Sequence, residues 1–239
     1  CPDGEAQPRL VLDAGTGIRS VTSMLGGSAF QGTILLTHLH WDHVLGLPFF
    51  DAADRDDART TVLLPDNGES AIRSVERFMS PPSFPIHPTE LRGQWTFDTL
   101  EDGDHHVEDV RVMARTVPHK GGRTLGFRLE AANGSVAYIP DHCLAVGTGS
   151  DAVRNLVQDV DVLIHNAQFV AAEADTAAAY GHSTVDQAVE LATSLRVGHL
   201  MLFHHAPGRT DVELDDIVRS IDAPGLRVDL ARQGHEFEV

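Results

Sequence analysis

The stretch Leu35-Leu36-Thr37-His38-Leu39-His40-Trp41-Asp42-His43 (LLTHLHWDH) places three histidines and an aspartate within six residues, directly after an apolar run. Imidazole and carboxylate are well hydrated on a surface, so crowding them at one point asks for a shared ligand. Residues 33–36 predict a strand, and the polar groups fall in the loop that follows it. Side chains alternate along an extended segment, so His38 and His40 point the same way. Asp42 and His43 fall where the chain should turn into a helix. The four therefore serve two neighbouring points in space, a pair at each. Neutral imidazoles with a carboxylate suit Zn²⁺ foremost, and also Mn²⁺ or Fe²⁺.

One metal needs a further histidine, and two need a shared bridging ligand. Short apolar runs alternate with helical patterns from end to end, without internal repeats, which predicts one mixed α/β domain over residues 1–239. Residues 9–12 read as a strand ending in the glycine-broken turn Asp13-Ala14-Gly15-Thr16-Gly17, with a short helix over 18–25. A helix is expected over 69–79. Segment 80–88 holds four prolines and cannot be helical; with the apolar 45–50 it is a candidate pocket wall, though ordinary packing is the simpler role for both. Strands follow over 110–117, 124–130 and 135–138, the last two joined by an Asn133-Gly134 turn of the type that tolerates positive φ. A buried strand over 160–164 ends at His165. A helix over 184–195 opens on Ser183/Thr184 and Asp186/Gln187, a capping-box pattern. A strand over 199–203 ends at His204-His205. His119, Asp141 and His204 thus each follow a strand and offer themselves for the missing places. Neighbours in an extended segment point oppositely, so Asp141 and His204 are preferred to His142 and His205. His87, His105, His106, His199 and His235 are assigned structural or surface places, and Cys143 that of a small buried apolar residue.

Composition narrows the function classes. Eighteen basic against thirty-five acidic side chains give a net charge of −17, which weighs against an electrostatic grip on long nucleic acid but not against a small phosphate ester. No apolar run approaches the roughly 20 residues of a membrane span, and the opening CPDGEAQPRL carries no basic-then-apolar signal pattern. Two cysteines, Cys1 and Cys143, are too few for a disulfide scaffold, and a cytoplasmic setting is expected.

His38-Leu39-His40-Trp41-Asp42-His43 resembles the HxHxDH signature of the metallo-β-lactamase-fold hydrolases, and the DAGTG at 13–17, His119, Asp141 and His204 fall in the order that family uses. The resemblance implies a four-layer αβ/βα sandwich whose first strand is expected to precede Cys1. It also implies two metals, with His38, His40 and His119 on one, Asp42, His43 and His204 on the other, and Asp141 bridging. Asp13 resembles the family's aspartate that orients a ligand histidine, a role expected because metal-bound imidazoles want an acceptor for their other N–H.

Within that family the chain is similar to the phosphodiesterase branch that includes ribonuclease Z and small cyclic-phosphate and cyclic-nucleotide phosphodiesterases. Gly181-His182-Ser183-Thr184 resembles the HST segment, whose histidine assists proton transfer. His165-Asn166-Ala167-Gln168 stands where the HEAT segment would, with Asn166 replacing its glutamate. An amide can only orient a histidine, so a general acid at His182 is expected to have a lower pKa than in the glutamate-bearing relatives. His165 is placed near the ligands rather than among them. The resemblance thus implies hydrolysis of a small phosphodiester by a hydroxide held between two metals, with Asp42 accepting the water's proton and His182 protonating the leaving alkoxide. It also suggests a homodimer. The alternatives are ribonuclease Z-like RNA cleavage, a lactonase or thioesterase, and a non-catalytic metal-binding regulatory protein.

Overall fold

The computed structural model describes residues 7–144 and 150–239; residues 1–6, Cys1 among them, and 145–149 lie outside the described residues. The chain divides into two compact units, Cys1–Glu101 and Asp102–Val239.

The first unit is built on a four-stranded sheet in the order β1-β2-β3-β4, all neighbours parallel: β1 (Leu10–Leu12), β2 (Gln31–Leu35), β3 (Arg59–Pro65) and β4 (Gln94–Leu100). Parallel neighbours need crossovers, and helices α1 (Arg19–Met24), α2 (Trp41–Val44) and α3 (Ala71–Glu76) lie in them. Ile34, Leu36, Val62 and Leu64 are fully buried with Phe30 and Phe50, whose rings sit 5.1 Å apart. Burying such a side chain contributes about 1.5–3 kcal/mol, enough to pin the register of β2 on β3. The loop after β2 therefore starts from a rigid base.

The second unit holds a seven-stranded sheet in the order β11-β10-β9-β8-β7-β6-β5. Its antiparallel half comprises β5 (Gly103–Val107), β6 (Val110–Thr116), β7 (Leu125–Ala131) and β8 (Gly134–Ile139); β9 (Val162–Asn166), β10 (His199–Phe203) and β11 (Arg227–Leu230) continue it in parallel. Helices α4 (Asp151–Val157), α5 (Ala174–Tyr180), α6 (Val185–Ser194) and α7 (Asp211–Ser220) complete this unit. Ile139, Leu163, Leu200 and Leu202 of the sheet pack in one buried cluster with Leu156 and Val157 of α4 and Ala188, Leu191 and Ala192 of α6.

Two expectations need correction. The helix expected over 69–79 is regular only across α3, because the Ser80 hydroxyl takes the Glu76 carbonyl at 2.6 Å and Pro81 follows. In the β7–β8 hairpin Gly134 pairs with Ala131, so Ala132 and Asn133 are the central residues, and neither they nor Gly134 has positive φ. Gly134 answers to packing instead: a Cβ there would lie 2.6 Å from Val239 Cγ1.

Candidate functional site

The first unit contributes one donor set at the C-terminal end of β2. Thr37 follows the strand, His38 is buried, and His40 is the extended residue before α2, which carries Asp42 and His43 in its single turn. The His38 ring centre lies 4.4 Å from that of His40 and 4.2 Å from that of His43. Asp42 is exposed, with Oδ2 3.4 Å from His43 Nε2.

Asp13 organises this set from the end of β1. Its carboxylate accepts the Thr37 amide at 2.7 Å and the Thr37 hydroxyl at 2.9 Å, and it meets His43 Nδ1 at 2.8 Å. A carboxylate accepts, so His43 carries its proton on Nδ1 and presents a lone pair at Nε2. With its own hydrogen given to Asp13, the Thr37 oxygen accepts from His38 Nδ1 at 3.0 Å, which leaves Nε2 of His38 as a second lone pair. Asp13 takes up a left-handed backbone, φ 60°, a conformation few non-glycine residues adopt. The DAGTG turn reaches the motif closely enough that a Cβ on Gly15 would lie 2.2 Å from the Asp42 carbonyl oxygen. Glycine is needed there for approach.

The second unit contributes His119, Asp141, His182 and His204. His119 Nδ1 donates to the Gly181 carbonyl at 2.7 Å, so its lone pair sits on Nε2, 3.3 Å from Asp141 Oδ2. Gly181 ends α5 in the left-handed conformation, φ 84°, which turns that carbonyl toward His119. The other oxygen of Asp141, Oδ1, lies 3.2 Å from His204 Nε2. His204 is itself left-handed, φ 58°. Asp141, His182 and His204 each offer one ligand atom, all within 4.8 Å of one another.

These separations test the fit of a metal. A lone-pair nitrogen facing a carboxylate oxygen is repulsive unless a proton or cation lies between them. Ligand bonds of about 2.0–2.1 Å in a tetrahedron put neighbouring ligand atoms about 3.3 Å apart. The His119–Asp141, His204–Asp141 and His43–Asp42 pairs, at 3.3, 3.2 and 3.4 Å, match that edge. The donor sets fit a borderline divalent cation.

His182 stands beside this set, its ring 5.0 Å from that of His119 and stacked 5.1 Å from that of His204. Asn166, fully buried, fixes it. Its Oδ1 accepts the Ser183 amide at 2.7 Å and its Nδ2 donates to the Pro140 carbonyl at 2.8 Å, so the orientation of the amide is set by two partners of known polarity. The remaining Nδ2 hydrogen lies nearer His182 Nδ1, at 3.1 Å, than Asp141 Oδ1, at 3.5 Å. His182 therefore accepts at Nδ1 and carries its proton on Nε2.

His142 and His165 fall elsewhere. His165, wholly buried, donates from Nδ1 to the Asn166 carbonyl at 2.8 Å and accepts at Nε2 from His142 Nδ1 at 3.0 Å. Burial lowers the His165 pKa to about 4, and burial with the nearby His165 and His119 holds His142 well below the usual range. Both rings are neutral at pH 7. His205 is lowered too, first by burial and then by His204. His199, set aside in the sequence reading, bonds Asp229 at 2.9 Å. Thr37 and the Gly181 carbonyl carry no sequence signal of their own, because their part is read only in distances to residues already suspected.

Residues 9–205 match the family described as the β-lactamase superfamily domain. The ribonuclease Z of Natronomonas pharaonis is 26% identical over 82% of this chain and 77% of that protein, and that of Salinibacter ruber 26% over 85% and 79%. Among solved structures, the metallo-β-lactamase fold protein YhfI from Bacillus subtilis superposes with a TM-score of 0.70 at 16% identity, over 97% of this chain and 87% of that one. A diphosphatase from the PhnP family gives 0.68 at 20% identity, over 98% and 83%. Among the described residues no helix is long and apolar enough to cross a membrane. With residues 9–205 matched, the chain belongs to the β-lactamase superfamily domain family and is a metal-dependent hydrolase of the metallo-β-lactamase fold.

Proposed function

We propose that this hydrolase cleaves a small phosphodiester, a cyclic nucleotide or cyclic phosphate, with two divalent cations, Zn²⁺ foremost. The observation that carries the reading is Asp141, whose two oxygens each face a different imidazole nitrogen, Oδ2 to His119 and Oδ1 to His204, so that one carboxylate would serve two cations. His38, His40, Asp42 and His43 with His119, Asp141 and His204 would supply the seven ligands for them. When bound, the cations activate water and neutralise charge on the phosphoryl oxygens. The protein's residues do the rest. Asp13, through Thr37 and directly, holds His38 and His43 in the tautomers that present Nε2. Asp42, exposed, would take the proton of the attacking water. His182, its proton on Nε2, donates to the leaving alkoxide.

The net charge of −17 favours a small substrate over long RNA, although the ribonuclease Z relatives keep RNA cleavage among the outcomes to be tested. A single catalytic domain over 1–239 is part of the reading, supported by a family match that runs through both units. The scarcity of cysteine fits a cytoplasmic setting, and a homodimer is the expected assembly.

Metal analysis with a screen of cyclic nucleotides, generic phosphodiesters, precursor transfer RNA and lactones tests it. Two equivalents of metal with turnover of small phosphodiesters support it. Fewer equivalents, or turnover confined to lactones or RNA, overturn it. His182→Ala should lower kcat by roughly 10²–10⁴-fold with metal content intact, and unchanged turnover removes the proton-donor role.

A further inference from the structure

Trp41 leaves 72% of its surface in water, although indole is among the most apolar surfaces a protein can expose. The other tryptophan, Trp95, has an ordinary structural place, its indole N–H on the Arg92 carbonyl at 2.8 Å and its ring stacked on Phe97. Trp41 begins α2 directly between His40 and Asp42. Leu45, four residues on and so on the same helical face, is 40% exposed, and Phe49 is 54% exposed. Phe49 packs edge-on against Phe84 of the proline-rich excursion, ring centres 5.9 Å apart.

We propose that Trp41, with Leu45 on the same helical face, is the platform on which an aromatic ring of the substrate, a nucleobase or an aryl group, stacks while the attached phosphodiester meets the ligand residues on either side of it. The inference rests on the phosphodiesterase reading and names its substrate class. On a chain of charge −17, a neutral apolar face recognises the organic part of a phosphate ester without further cationic side chains. A second copy of the chain is a poorer occupant. The two exposed rings present on the order of 300 Å², well short of the roughly 800 Å² per partner of a stable interface.

The test uses the metal-loaded full chain. Wild type should prefer a nucleoside 2′,3′-cyclic phosphate to a cyclic alkyl phosphate of the same ring. Trp41→Ala should lower that ratio of kcat/KM about 10-fold or more through KM, as loss of one base–aromatic stack does, and Trp41→Phe should restore most of it. An unchanged ratio overturns the platform, as does a dimer that Trp41→Ala converts to monomer with the ratio unchanged. If wild type hydrolyses no phosphodiester, the proposed function fails, and the platform is then read by adenosine 5′-monophosphate alone. Quenching of fluorescence in wild type but not in Trp41→Phe supports it; equal responses overturn it.

Discussion

The proton of His182 is placed by a neighbour that titrates nowhere near neutrality. Asn166 offers His182 a hydrogen rather than an acceptor, which puts a ring proton on Nε2. Asn166→Asp supplies a carboxylate of the kind the HEAT segment carries, which favours a ring protonated on both nitrogens. Turnover should then be sustained to higher pH than in wild type, with metal content unchanged, in a pH–rate comparison. A residue that merely supported the fold would not move the profile this way. At this scale the sequence is unevenly legible. His38, His40, Asp42 and His43 announce themselves by spacing, whereas Gly181 acts on His119 across 62 residues through one carbonyl that any residue type possesses. Only a left-handed turn brings it there.

Single elements are held by equally local devices. Helix α6 opens with Thr184 accepting the Gln187 amide while the Gln187 side chain accepts the Thr184 amide at 2.9 Å. Thr184→Ala should cost about 1 kcal/mol, seen as a fall in Tm of roughly 2–4 °C. That signature is visible in the sequence because a cap is made of neighbours. The same logic opens α7, where Thr210 and Glu213 form a second capping box. The β7–β8 hairpin shows the opposite case. Asn-Gly reads as a turn by local rules, but the glycine at 134 is required by Val239, a residue at the far end of the chain. Strands β4 and β5 are exposed on alternate positions and gain their place from the sheets they edge, which no short window contains.

The whole molecule answers to pH through its buried histidines. Folded His165 takes up a proton only near pH 4, whereas the unfolded chain does so near its ordinary value of 6.5. Between those values the unfolded state binds more protons, so stability falls as pH drops from about 6.5 to 4, by about 3 kcal/mol from this group. Urea midpoints measured across that range should fall toward acid, and His165→Asn, which has no ring to protonate, should flatten the slope. The sequence supplies fourteen histidines but not their burial, so this response is invisible until the fold is known. Asp13 extends the point to how relatives are recognised. Three hydrogen bonds converge on one carboxylate at a left-handed position, and the lone pairs of two histidines depend on it. A homologue can keep every letter of the six-residue signature and still be a poor binder of metal, if what stands at this position is anything other than an acceptor able to turn left.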